Sequence, residues 1–471
     1  MRYYSTRNKN EPVNFAVAAL TGLAPDGGLY IPQEFPQFSK SVKSSLGKMT
    51  YTEIAFETIK PWVIDDIPAG VLEDIVNSAY PFGAPLIEAC GRRVLELFHG
   101  PTAAFKDFGA RFMARAFSYL RRGETRPLTI LTATSGDTGG AVADGFFGTE
   151  GISVTVLYPK GRISELQEKQ IAGLGGNISA LAVEGSFDDC QRLVKQAFGD
   201  SELKKRLVLA SANSINVARL IPQTVYYTAA SGRVLSGHID PDGEATPRLG
   251  RGALRGDIPA EGGSGGFAVQ SRSGGGDFPP VRFCVPSGNF GNLTAGLYAY
   301  KMGAPIGHFI AAANANRTVP DYLESGKYEA RPSIATISNA MDVGAPSNFE
   351  RMAAHFSLDE MRNLITGVSV TDDETRETIR EVFDKGYCLD PHTAVGWRAV
   401  RKLEHSQSGS AAENTAGAVI VSTAHPAKFR EALGPLGAQV PVPPSLQKVM
   451  ERKIVTVTIR AELDALKSAL L

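Results

Sequence analysis

The stretch Leu128-Thr129-Ile130-Leu131-Thr132-Ala133, followed after Thr134 by Ser135-Gly136-Asp137-Thr138-Gly139-Gly140, decides the fold class. A largely apolar run of six residues reads as a buried strand. The Gly-rich segment reads as a tight turn into a helix. The same pattern recurs at Val281-Arg282-Phe283-Cys284-Val285-Pro286, then Ser287-Gly288-Asn289-Phe290-Gly291-Asn292, with Leu293, Gly296, Leu297 and Tyr300 continuing at helical spacing. Strands are predicted at 94–98, 153–158 and 178–183, and helices around 164–174 and 187–198. Strands alternating with helices imply βαβ units and parallel sheet, hence an α/β fold.

Outward from this pattern, residues 1–93 read as a separate, mostly helical region with turn signals at Pro25-Asp26-Gly27-Gly28. Its helices are predicted around 51–59 and 69–79. Residues 94–230 form a first α/β part and residues 281–471 a second. Between them, residues 231–280 are rich in Gly, Ser, Pro and Arg, as in Glu261-Gly262-Gly263-Ser264-Gly265-Gly266, and read as an inserted, flexible surface loop.

Composition narrows the class. The 471 residues carry 49 basic and 49 acidic side chains, so no global field favours nucleic acid or an anionic membrane. No run approaches the roughly 18 apolar residues that span a bilayer, and the N-terminus has no secretory pattern. Cys90, Cys190, Cys284 and Cys388 are scattered, which argues against both a zinc site and a disulfide framework. A cytoplasmic enzyme without metal is the expectation.

Chemistry concentrates at His99-Gly100-Pro101-Thr102-Ala103-Ala104-Phe105-Lys106-Asp107-Phe108. Phe105, Phe108, Phe112, Ala116 and Leu120 mark a helical stripe, with Thr102 as the expected N-cap. Lys106 then lies in a first turn, where the helix dipole disfavours a cation. Either its amine snorkels to solvent or it serves in a neutral or imine form. The turn at 287–292 offers glycines, Ser287, two asparagines and a helix N-terminus, a cradle for phosphate. The turn at 135–139 is a second anion nest, suited to carboxylate or phosphate. Neither matches GxGxxG or a phosphate loop ending in Gly-Lys-Ser/Thr, so a nucleotide site is weakly supported. Val419-Ile420-Val421-Ser422-Thr423 ends a buried strand in hydroxyls, where α/β sites sit. Amides and an arginine follow another apolar strand at Asn213 and Arg219, and Ser347-Asn348 lie in a polar loop entering a helix. A lysine for an aldehyde, a phosphate cradle and a strand-end hydroxyl together suit pyridoxal phosphate.

The motifs, taken in order, resemble the threonine synthase family of fold type II pyridoxal-phosphate enzymes. Tyr3-Tyr4-Ser5-Thr6-Arg7, Gly22-Leu23-Ala24-Pro25-Asp26-Gly27-Gly28-Leu29-Tyr30, the Lys106 motif, 135–139, 287–292 and 422–429 all carry the likeness. It implies two parallel-sheet lobes of the tryptophan-synthase-β-like kind behind a mostly helical N-terminal domain. It implies a lyase of threonine biosynthesis acting on O-phospho-L-homoserine. In that reading Lys106 holds the cofactor as a Schiff base and moves protons. Ser287, Gly288, Asn289, Phe290 and Asn292 bind its phosphate, and Thr423 meets the pyridine nitrogen. Ser135, Gly136, Asp137 and Thr138 cradle the substrate carboxylate, with Asn213 beside them. Arg219, Ser347 and Asn348 are candidates for the substrate phosphate. Two rivals are a dehydratase of the same fold and a non-catalytic binder. The N-terminal signature and Thr-Ala-His-Pro at 423–426 argue against the first. Lys106, Asp137 and Thr423 together argue against the second.

Overall fold

The computed structural model describes residues 1–243, 245–248, 280–406, 417–437 and 440–471. Its strands are β1 (Tyr3–Ser5), β2 (Tyr30–Pro32), β3 (Leu86–Ala89), β4 (Arg92–Glu96), β5 (Leu128–Ala133), β6 (Ile152–Pro159) and β7 (Ile178–Glu184). They continue with β8 (Val208–Ser211), β9 (Val281–Pro286), β10 (Ile306–Ala313), β11 (Ile365–Ser369), β12 (Val419–Ser422) and β13 (Val457–Arg460).

Two parallel sheets carry the molecule. One has the order β13-β7-β6-β5-β8, and the other β11-β10-β9-β12-β4-β3, antiparallel only between β3 and β4. Every residue of β5 is buried. Helix Asp137–Phe146 packs on this sheet with helix Lys106–Leu120 against it, while helix Phe187–Gly199 also packs against β5. This double coverage is why the strand reads as a continuous apolar run instead of an alternating one.

The chain crosses between lobes more than its linear division suggests. β4 lies in the six-stranded sheet, with Val94 opposite Ile420 of β12. β13, near the C-terminus, pairs with β7 of the other sheet, Val457 opposite Leu181. A boundary at 93/94 therefore cuts through a hairpin, and the stretch 94–230 supplies strands to both sheets. Helix Thr224–Ser236 runs into the stretch expected to be an inserted loop. Just beyond it, the Asp240 amide donates to the Leu86 carbonyl at 2.8 Å, and the Leu86 amide to Asp240 Oδ2 at 2.8 Å. The rest of that expected loop, residues 249–279, lies outside the described residues.

The N-terminal region supports the lobes from one side. Helix Tyr51–Val63 starts with a reciprocal cap between Thr50 and Glu53 and buries Ile54, Ala55, Ile59 and Trp62. It packs on helix Thr224–Ser236. Tyr80 donates its hydroxyl to the Phe108 carbonyl at 3.1 Å, which ties this region to the Lys106 helix. Among the described residues no helix is long and apolar enough to cross a membrane.

Candidate active site

The C-terminal ends of β5, β8, β9 and β12 open into one cleft enclosing about 900 Å³, mouth included. Open α/β sheets place ligands at this edge because strand-to-helix turns there expose backbone donors. Lys106, Ser135, Asp137, Thr138, Asn213 and Arg219 line the cleft from one lobe. Ser287, Gly288, Asn289, Phe290, Asn292 and Thr423 line it from the other.

Lys106 opens helix Lys106–Leu120, whose N-cap is Phe105 without a side-chain cap. Thr102 is not the capping acceptor expected. Its hydroxyl instead donates to Asp107 Oδ1 at 2.6 Å and its amide to Oδ2 at 2.9 Å. Two donors on one carboxylate pin the loop ahead of the lysine, and burial pushes the Asp107 carboxyl up to about 7. The Lys106 amine lies 5.4 Å from the Phe105 ring and donates to no acceptor among the described residues. Burial lowers its pKa to about 8, helped by Arg219 and Lys428 and opposed by Asp137. A cleft amine near neutrality is a nucleophile and a proton carrier.

The turn after β9 is built to expose donors. Phe290 has φ 58°, a left-handed residue that ends the turn and begins helix Gly291–Lys301. A Cβ on Gly288 would stand 2.6 Å from the Met341 Cα, so only glycine permits this approach. The amides of Gly288, Asn289 and Phe290 have no acceptor among the described residues. Asn292 is buried. Its Oδ1 accepts from Tyr226 at 2.7 Å and Tyr227 at 2.6 Å, while its Nδ2 has no partner among the described residues. An orphaned donor beside free amides at a helix N-terminus fits a phosphate. Ser287 and Asn289 contribute differently from the expectation. Ser287 turns its hydroxyl to the Val285 carbonyl at 3.0 Å. Asn289 donates to Ser214 Oγ at 2.6 Å and accepts from the Ser347 amide at 2.6 Å, so its side chain staples loops together.

On the facing lobe, Gly136 has φ 139° and caps helix Asp137–Phe146. It does not line the cleft. A Cβ there would meet the Gln167 amide at 2.4 Å. Asp137 is buried and accepts from Gln167 Nε2 at 3.0 Å and pairs with Lys428 at 2.7 Å. Burial alone would raise this carboxyl; Lys428, Lys106 and His392 outweigh it and hold the carboxyl well below the usual range. Asn213 lines the cleft with its Nδ2 engaged on the Ala133 carbonyl at 2.8 Å. Arg219 donates Nη1 to the Ala212 carbonyl at 2.6 Å, and its buried Nε has no partner among the described residues.

Ser347 and Asn348 are not cleft residues. Asn348 donates to the Asn289 carbonyl at 3.1 Å and accepts from Arg351 Nη1 at 2.8 Å. Both residues brace the β9 turn, Ser347 through its amide and Asn348 through its side chain. Conversely, Ser214 and His392 line the cleft, and Lys428 and Gln167 hold Asp137. Gln167 carried a signal: Ser164 and Gln167 form a capping box in which Gln167 Oε1 accepts from the Ser164 amide, leaving Nε2 to donate elsewhere. Lys428 carried none beyond its place in the 422–429 motif.

Family models match as "Threonine synthase N terminus" over residues 2–80, "Pyridoxal-phosphate dependent enzyme" over 94–231 and 272–422, and "Threonine synthase, C-terminal" over 393–470. The threonine synthase of Escherichia coli is 39% identical over 475 residues, covering 100% of this chain and 99% of its own. The chain belongs to the threonine synthase family. The crystal structure of the Escherichia coli threonine synthase superposes with a TM-score of 0.83 at 38% identity, covering 100% and 99% of the two chains. The pyridoxal-phosphate-bound threonine synthase of Brucella melitensis gives 0.82 at 36% identity, covering 100% and 98%. The residues present here fit the family's cofactor. The free amides and orphaned Asn292 Nδ2 suit its phosphate, and the unpaired Lys106 amine suits its aldehyde. The Thr423 hydroxyl, in the cleft wall without a protein partner among the described residues, suits its ring nitrogen.

Proposed function

We propose that this cleft converts O-phospho-L-homoserine and water to L-threonine and phosphate, by γ-elimination then β-hydration, as the last step of threonine biosynthesis. The observation that carries the reading is one unpaired lysine amine between two separate anion receptors. One receptor takes the cofactor phosphate and leaves the other for a substrate that is itself anionic at both ends.

Pyridoxal phosphate, when bound, supplies an electron sink for charge developing beside the amino nitrogen. The rest is done by side chains. Lys106 is the residue that would bear the cofactor through its aldehyde. Released from it, the near-neutral amine takes protons from substrate Cα and Cβ as phosphate leaves Cγ, then returns one to Cγ and, once water has added its hydroxyl at Cβ and its proton has gone to the departing phosphate, one to Cα. An amine of pKa about 8 is half neutral close to working pH, where proton transfer in both directions is efficient. Thr423 offers the ring a neutral hydroxyl. Ser135 and Thr138, at the N-terminus of their helix, orient the substrate carboxylate. Arg219 turns its free Nε to the leaving phosphate, where a fixed cation stabilises charge as it develops. The enzyme works in the cytoplasm; four unpaired cysteines support that placement.

The test is an end-point assay of cofactor-loaded protein on O-phospho-L-homoserine. Equal amounts of phosphate and threonine are expected. Phosphate with 2-oxobutyrate overturns the reading in favour of a simple elimination enzyme.

A further inference from the structure

Two lysines act on one carboxylate at the cleft: Lys428, buried, and Lys106, half-buried, both felt by Asp137. Lys428 sits in the turn Pro426–Phe429 and is almost wholly buried. Its amine pairs with Asp137 Oδ1 at 2.7 Å and donates to the Thr102 carbonyl at 2.9 Å. Gln170 Nε2 donates to the same carbonyl at 3.0 Å. Asp137 Oδ1 also takes the Gln167 amide at 3.0 Å. Lys106, whose charge Asp137 also feels, has no ion pair with it among the described residues.

We propose that Lys428 is a positioning residue that claims the Asp137 carboxylate and so leaves the Lys106 amine unpaired and reactive. The inference rests on Lys106 being the amine that meets the cofactor aldehyde. The physical argument is competition for one anion. A buried carboxylate must be compensated, and in this cleft the available cations are Lys106, Lys428, Arg219 and, when protonated, His392. Arg219 spends Nη1 on Ala212. His392 spends Nδ1 on Asp390 at 2.8 Å and accepts from the Ala340 amide at 3.2 Å. Lys428 is held on the Asp137 side by the Thr102 carbonyl, within the loop that presents Lys106. Without it, Lys106 is the next cation acting on Asp137, and an ion pair would hold its amine protonated. The charged groups acting on Lys106 are Asp137, Arg219 and Lys428, and they pull its proton affinity in opposite directions.

The experiment follows cofactor capture, not turnover. Full-length protein stripped of cofactor is mixed with pyridoxal phosphate, and the rate at which the bound chromophore appears is recorded against pH. In the parent protein the rate rises as the Lys106 amine deprotonates. In Lys428→Met the midpoint moves up by about one unit, so the rate at neutral pH falls about tenfold. Asp137→Asn moves it down, because the Lys428 charge is then unopposed. Asp137→Asn/Lys428→Met lies above Asp137→Asn, and Lys428→Arg restores the parent profile. The comparison of the two Asp137→Asn proteins reads the Lys428 charge even where Lys428→Met fails to fold. An unmoved midpoint in folded Lys428→Met, or an upward step on Lys428→Met no larger with Asp137 present than with asparagine in its place, overturns the proposal. Lys106→Ala separates the two levels: a chromophore that still forms covalently in that protein defeats the underlying reading instead.

Discussion

Arg219 is the residue whose chemistry is least consumed by the fold. One nitrogen is spent on the Ala212 carbonyl, while Nε is buried without a partner among the described residues. A hydrogen bond to a charged group contributes about 1.5–3 kcal/mol. Arg219→Gln is therefore expected to lower kcat/KM for phosphohomoserine about 10- to 100-fold, with cofactor affinity nearly unchanged; steady-state kinetics and a cofactor titration check both halves. Thr423 gives the converse case. Its hydroxyl has no protein partner among the described residues, so Thr423→Val keeps shape and stability. Cofactor affinity falls about fivefold, the equivalent of one neutral hydrogen bond of about 1 kcal/mol. An unchanged dissociation constant would remove Thr423 from the cofactor's surroundings. Both residues could be named from sequence because each follows a strand, Thr423 directly after β12 and Arg219 in the helix Val217–Leu220 beyond β8. Lys428 could not be given a role, because its partner Asp137 is 291 positions away in the chain (428 − 137) and is contributed by the other lobe.

At the scale of elements, the strand–turn–helix units were legible because their signals are local. β5 and β9 occupy the residues their apolar runs indicate, and glycine stands where the backbone must approach another chain segment. Gly288→Ala puts a Cβ 2.6 Å from Met341 Cα, backbone that cannot swing aside. The turn must shift, at about 1–3 kcal/mol. The expected outcome is a lower melting temperature and at least tenfold weaker cofactor binding, whereas Gly434→Ala, with open space around its Cβ position, changes neither. What the turn's sequence did not disclose is the direction of its side chains. Asn289 and Asn292 have the same chemistry, but one staples Ser214 to Ser347 and the other faces the cleft. Two tyrosines from helix Thr224–Ser236 make that difference. The supposed N-cap at Thr102 failed for a similar reason: a buried carboxylate five residues on offered its hydroxyl a better partner than a helix amide.

Across the whole molecule, parallel sheets were legible as a class but their membership was not. β4 and β13 join sheets distant in sequence, and no local signal specifies which neighbour a four- or five-residue strand will find. The same packing governs acid stability. Burial lowers His308 and His355 to about 4 and His425 to about 3. Each is neutral in the fold and must bind a proton on unfolding once pH drops below the ordinary value of about 6.5. Stability from these groups is whole above that pH and is lost as pH falls toward their folded values. Asp107, raised to about 7, has the opposite sign, losing stability as pH rises from the ordinary carboxylate range through 7. Asp342, raised to about 6, and Asp66 and Asp144, also raised by burial, act with Asp107, so the pH slope of the urea midpoint between 6.5 and 4 is the balance of the two sets, the histidines steepening the fall toward acid. His355→Phe should shallow that slope.

The central claim is that Lys106, not the more deeply buried Lys428, bears the cofactor. Borohydride reduction of the pyridoxal-phosphate-loaded protein, followed by peptide mass mapping, tests it directly. One pyridoxyl group on the peptide containing Lys106 is the expected result. Label on Lys428, or tightly bound cofactor with no covalent label, would contradict the account.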